Sequence, residues 1–315
     1  MKKVFHLLLS KRVLTSVFYV LLISFLVVYI SRIDFSALSR MSIGFGVLGV
    51  AVIVDLLSRY WTVAIWIVLL KNLGATKLSD KAGLSYVYAK SWLGRYIPGT
   101  APWILGKIYF ASQHGISKSK LAVSSLLEAA LQIVVMIAFS LLALLIDSRF
   151  DVVAKETKYY IAAAFIVCII ALIPRFFNSA VSLAYRILKR KRIDPRDLAT
   201  SRTILTGAAM YLVGAVLNGL VFFLIAKSVY PPLPFSDILF VMAIGNLSGA
   251  LGMLAVFVPS GLGVREGVQL ILLGLIMPAS LAVVITVIAR LLSVVTDLLF
   301  FGSTIALKRS TTTKS

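Results

Sequence analysis

Ionisable residues lie inside long apolar runs of this 315-residue chain, among them Asp55, Arg59, Glu128, Arg290 and Asp297. A charge at the centre of a bilayer costs about 2.5–3.5 kcal/mol on insertion scales, so such groups face a protein interior, where they pair or meet a ligand. Asp55 and Arg59 stand one helical turn apart, which suits a self-neutralising pair, with a ligand role as the alternative. Glu128 and Arg290 follow a proline break at nearly the same interval, 30 residues after Pro98 and 31 after Pro259. At 1.5 Å per residue they fall about 10 and 14 Å from opposite ends of their runs, too far apart in depth for a mutual bridge. Each is therefore expected to face its own break: Glu128 near Arg95 or Lys107, and Arg290 near Glu266 or Asp297.

The breaks are Ile97-Pro98-Gly99-Thr100-Ala101-Pro102 and Val258-Pro259-Ser260-Gly261-Leu262-Gly263. Proline stops a helix, and glycines such as Gly99, Gly261 and Gly263 let backbone amides approach a bound group. A helix that restarts after a break points its positive end there, a setting that suits phosphate or carboxylate. Arg265 and Lys107 would add charge-assisted hydrogen bonds, while packing glycines with snorkelling cations are the plainer alternative. No P-loop, HExxH or activated nucleophile is present, and Cys168 with His6 and His114 is too sparse a set for a disulfide framework or a metal site. The expectation is a protein without catalytic activity, cofactor or metal.

The elements that must position these groups are membrane spans. Of all residues 60% are hydrophobic and 14% charged, and the mean hydropathy is +0.99, beyond what a water-facing surface carries. With about 20 apolar residues needed to cross roughly 30 Å of hydrocarbon, six segments qualify: 13–30, 43–70, 121–146, 159–173, 203–226 and 281–307. Two further stretches, 86–110 and 238–277, hold the breaks. They are predicted to be re-entrant hairpins, because their second legs, 103–113 and 264–277, reach only about 16 and 21 Å. The order span, long span, hairpin, long span occurs twice, over 13–147 and 158–307. Three crossings per half invert the second half relative to the first.

Charge gives that arrangement a sidedness. The formal net charge is +20, and 23 of the 32 Lys and Arg fall in Met1–Arg12, Lys71–Lys120, Arg175–Arg202 and Lys308–Ser315. The positive-inside rule then places both termini in the cytoplasm, the first hairpin entering from there and the second from outside. The basic excess reads as orientation signal and not as a nucleic-acid footprint, with attraction of anionic lipid by Lys189-Arg190-Lys191-Arg192 as a second role. The whole is predicted to be one all-α integral membrane domain with N-in/C-in topology in the cytoplasmic membrane of a prokaryote.

Two runs carry a family likeness. Trp92-Leu93-Gly94-Arg95-Tyr96-Ile97-Pro98-Gly99 with Gly106-Lys107, Gly115-Ile116-Ser117 and Glu128 resembles the flippase-like membrane domain of lysylphosphatidylglycerol synthases and stand-alone relatives. Val258 to Gly267, reading VPSGLGVREG, is similar to that family's other signature. The resemblance implies a lipid-translocating domain that handles its substrate at inverted re-entrant helices. It marks Pro98, Gly99, Glu128, Pro259, Gly261, Gly263, Arg265 and Glu266. The chain departs from the family at Glu128, where the family often has a basic residue next and this sequence has Ala129-Ala130-Leu131-Gln132. No synthase domain is read in these residues, so a stand-alone member is expected. The leading functional expectation is a flippase for an anionic headgroup, phospholipid or polyprenyl-phosphate-linked, with Arg95, Lys107 and Arg290 completing its site. A small-solute or ion-coupled transporter, or a membrane scaffold for a glycosyltransferase or lipid-modifying partner, is the alternative.

Overall fold

The computed structural model describes residues 43–96, 101–149, 155–189, 192–255 and 258–312. The expected first span at 13–30, and the break residues Pro98 and Gly99, lie outside the described residues. Every regular element among the described residues is helical. Unbroken apolar runs give the long helices α1 (Phe45–Asn72), α4 (Lys118–Ile146), α7 (Ser201–Val229) and α10 (Ala279–Thr312). Around the two breaks lie shorter helices, α2 (Lys81–Trp92) and α3 (Ala101–Ser112) in the first half, α8 (Ile238–Leu254) and α9 (Val264–Leu273) in the second. Between α4 and α7 come α5 (Lys155–Ala171) and α6 (Pro174–Lys189). Polar residues start several helices: Asp80 accepts from the Gly83 amide at 2.7 Å to cap α2, and Thr200 accepts from Thr203 at 3.2 Å to cap α7.

Five helices among the described residues are long and apolar enough to cross a membrane, and α5 with α6 makes a sixth if that bent pair is one span. The protein is multi-pass. Two features add to the expected plan. The first leg of the second hairpin is itself span-length, with Phe235–Leu254 giving 20 residues, whereas α9 stops at Leu273 because Gly274 ends it and the chain turns before Pro278. In addition, the stretch after the 159–173 span is not plain loop: α6 follows α5 across a 79° bend, and Pro174 takes the first helical position where its missing N–H is harmless.

Helices α1 and α7 run antiparallel to each other. Along α1 and α7, Gly44 N donates to Ser228 O at 2.8 Å and Trp61 Nε1 to Met210 O at 2.9 Å, so ascending numbers on one meet descending numbers on the other. Each hairpin's first leg packs on the long helix of the opposite half. Thus α2 meets α10 through Tyr86 stacked on Phe301 and Trp92 bonded to Asp297, and α8 meets α4 through Ser140 Oγ donating to Ala243 O at 3.0 Å. The second legs stay with their own half, α3 on α4 and α9 on α10. Small residues permit these approaches: a Cβ on Gly219 or on Gly245 would come within 2.7 Å of the Cβ of Met242 or Phe222. The crossed packing brings the two breaks into contact, the 3₁₀ turn Leu93–Tyr96 against Pro259–Gly261.

Candidate functional site

The second break is built by left-handed backbone. Ser260, Gly261 and Gly263 have φ of 51°, 66° and 80°, a conformation that glycine adopts freely and other residues only under strain. At Gly261 space is decisive as well, since an added Cβ would sit 2.5 Å from the Gly252 Cα on α8. Bare backbone on both sides lets the turn lie flat on that helix. The same gap seats Arg265, whose Cγ would be 2.5 Å from a Cβ on Gly252. Helix α9 then restarts with the Glu266 carboxylate accepting from Gly263 N at 2.7 Å, a side-chain cap at its N-terminus.

The first break presents Trp92, Arg95 and Tyr96 to α10. All three converge on Asp297, which is 1% exposed: Arg95 at 2.7 Å, the Tyr96 hydroxyl at 2.7 Å and Trp92 Nε1 at 3.2 Å. Arg95 also donates to Ser293 at 2.7 Å, and its guanidinium stacks 4.9 Å from the Trp92 ring. From α1, Arg59 pairs with Asp55 at 3.3 Å and with Asp297 at 3.3 Å. The Nε groups of Arg59 and Arg95 are nonetheless buried without a hydrogen bond. Behind the second break, Arg290 lies 3.7 Å from Glu266 and donates to Ser260 O at 3.2 Å.

Between the breaks is a cavity of about 120 Å³, walled by Arg59, Trp92, Arg95, Trp103, Ser260 and Arg265, with Gln132 and Asn218 also reaching it. Its volume equals roughly four waters' share of the liquid. Arg265 makes no ion pair among the described residues. Around the cavity four arginines, Arg59, Arg95, Arg265 and Arg290, face three carboxylates, Asp55, Glu266 and Asp297, which leaves one positive charge uncompensated. In a low-dielectric site walled by indole rings, such a surplus attracts an anion strongly.

A second cluster shares Trp103 with the cavity. Lys107, 1% exposed, pairs with Glu128, 0% exposed, which also accepts from the Tyr88 hydroxyl. The ammonium sits over three rings, 4.3 Å from Trp103, 4.5 Å from Tyr88 and 5.5 Å from Trp66. Lys107 supplies the positive partner that the residues after Glu128 do not.

The expected site residues therefore divide. Arg95, Gly261 and Arg265 line the cavity, Glu266 and Arg290 stand behind it, and Lys107 with Glu128 forms the sealed pair. Pro259 opens the 3₁₀ turn, and Gly263 is exposed with open space where a Cβ would go. The pairings expected from depth hold: Glu128 takes Lys107, Arg290 takes Glu266, and no bridge joins Glu128 to Arg290. Sequence reasoning missed Trp92, Arg59 and Asp297 as parts of one site. A signal existed on α10, where Arg290, Ser293 and Asp297 fall at i, i+3 and i+7, on one face.

The family model for the lysylphosphatidylglycerol synthase TM region matches residues 2–300. The chain belongs to that family. A search of curated proteins finds no match to it. The match takes in both breaks, all the cavity residues and the Lys107–Glu128 pair.

Proposed function

We propose that this membrane protein moves an anionic lipid headgroup between leaflets, acting as a flippase without catalytic chemistry of its own. The observation that carries this reading is the cavity between the two breaks, where Arg265 makes no ion pair among the described residues and the Nε of Arg95 is buried without a hydrogen bond. One surplus positive charge matches the single negative charge of a phosphodiester better than a diphosphate. A phospholipid or a polyprenyl-phosphate-linked headgroup is therefore the substrate class, with Trp92, Trp103, Asn218 and Gln132 available to the headgroup's polar substituents.

The architecture supports alternating access. The antiparallel pairing of α1 with α7 supports an inverted repeat, and the crossed seating of each hairpin on the opposite half supports two re-entrant elements meeting near the midplane. Basic-residue bias supports N-in/C-in topology in a prokaryotic cytoplasmic membrane. A glycosyltransferase or lipid-modifying enzyme that supplies or consumes the flipped lipid is the partner expected of such a carrier.

Liposomes carrying the purified chain and fluorescent lipids test the reading. Wild type should speed leaflet exchange of an anionic phosphodiester lipid, and Arg265→Ala should lower the rate. Equal exchange by wild type, Arg265→Ala and empty vesicles overturns it, and uptake of inorganic phosphate without lipid movement would assign a small-anion transporter instead.

A further inference from the structure

Helix α6 carries three stripes that one role explains. Phe177, Val181 and Tyr185 are buried against the core. A second stripe, Phe176, Ala180, Leu183 and Ile187, follows the i, i+4, i+7, i+11 spacing of one helix face and is exposed, with Phe176 at 53%, Leu183 at 58% and Ile187 at 72%. The third is polar: Arg175, Ser179, Ser182 and Arg186 line an open groove of about 640 Å³. A plain transmembrane helix has no use for the polar stripe, and a water-facing helix has none for the exposed apolar one.

Orientation decides between water and lipid. Helix α5 is apolar and 17 residues long, about 25 Å at 1.5 Å per residue, so it nearly spans the hydrocarbon. The 79° bend at Leu172–Pro174 then turns α6 almost perpendicular to α5, and a helix perpendicular to a span runs along the bilayer surface. The segment after α6 is tied down: Asn178 exchanges hydrogen bonds with the backbone of Ala199, and Ser119 donates to Asp197 at 2.6 Å. The fold thus holds α6 at the end of the molecule where α4 begins, on the side rich in lysine and arginine.

We propose that α6 is an in-plane helix that binds the anionic phospholipid of the surrounding leaflet. Phe176, Leu183 and Ile187 dip into the acyl region, while Arg175 and Arg186, three turns apart, take phosphate groups with Ser179 and Ser182 between them. The groove contains no carboxylate among its described lining residues, so its charge complements an anionic surface. This surface lies apart from the arginine cavity and serves as an anchor and lipid-recruiting face whatever the cavity transports.

The test uses the full chain in nanodiscs of phosphatidylcholine, with and without phosphatidylglycerol. In a Cys168→Ser background, spin labels at Leu183→Cys and Ser179→Cys report depth. The Leu183 label should be reached by oxygen and shielded from a water-soluble nickel reagent, and the Ser179 label the reverse. A water-exposed label at Leu183 overturns the in-plane placement. Native mass spectrometry then compares retained phosphatidylglycerol in wild type and Arg175→Gln/Arg186→Gln. Loss of two cations should lower retention by about thirtyfold, and equal retention overturns the anionic preference. Because neither readout involves lipid exchange, failure here leaves the flippase reading untouched, and failure of exchange leaves this proposal standing.

Discussion

The two halves place an acidic and a basic residue at the same stations and use them differently. In the first half Lys107 and Glu128 neutralise each other, buried among Trp66, Tyr88 and Trp103. In the second, Arg290 and Glu266 sit 3.7 Å apart, and Arg265, the next basic residue toward the break, has no ion-paired acid among the described residues and stands beside an open cavity. The lesson is that one architecture can devote one break to holding the structure and the other to meeting a ligand. The sealed pair has its charges matched and its donors occupied; the open side has charge to spare.

The largest expected effect breaks the sealed pair. Glu128→Ala strands a buried ammonium and should destabilise by about 3–5 kcal/mol, measured as the loss of thermal stability in detergent. Lys107→Met with Glu128→Leu should recover most of that loss; if the double variant is as unstable as the single, the pair does more than match charge. Next comes the turn itself. Gly261→Ala must adopt φ of 66° and press on Gly252, for about 2–4 kcal/mol, whereas Gly263→Ala meets open space and should cost about 1 kcal/mol. Equal effects at the two glycines would mean that backbone contact at Gly261 is unimportant.

Arg265→Gln sharpens the comparison from the other side. It removes no ion pair, so stability should change by less than about 1 kcal/mol, while affinity for an anionic lipid should fall about 10–100-fold, read by fluorescence titration in detergent micelles. A collapse of stability in this variant would make Arg265 structural like Lys107.

The smallest effect concerns the entrances to the hairpins. The first begins at Asp80, which caps α2; the second begins at Asp237, which caps nothing and instead lies 3.2 Å from Arg149. Arg149 also grips Asp147 at 2.7 Å, and its hydrogen bonds hold that carboxyl below its usual range. A depressed carboxylate adds stability above its unfolded pKa of about 3.9 and loses it as pH falls through the lower folded value. After solvent screening the contribution is at most about 0.5 kcal/mol. Stability of Arg149→Gln measured from pH 6 down to pH 3 should converge on wild type at the acid end, and a constant gap would exclude the linkage.

Much of this was legible residue by residue. Apolar runs of more than 20 residues define the long helices at Phe45, Lys118, Ser201 and Ala279, and prolines with glycines define both breaks. Depth along the runs, reckoned from helical rise, correctly separated Glu128 from Arg290. Helix α6 is less legible, because its arginines mark the basic side of the chain as readily as they mark one face of a helix. The arginine cavity was only half visible: Arg95 and Arg265 were chosen, but Arg59 was set aside as Asp55's partner.

By itself the sequence determined that this chain lives in a membrane and where its long apolar helices run. Those follow from hydration and helix geometry, which act locally and need no knowledge of neighbours. Only the tertiary structure decided that Asp297 on α10 gathers Arg59, Arg95, Tyr96 and Trp92 from α1 and the first break, and that Arg265 has no ion-paired acid among the described residues. The reason is that each hairpin seats on the opposite half. Partners some 200 residues apart are brought together by helix packing that no local pattern encodes, and the balance of charge between the two breaks exists only once that packing is made.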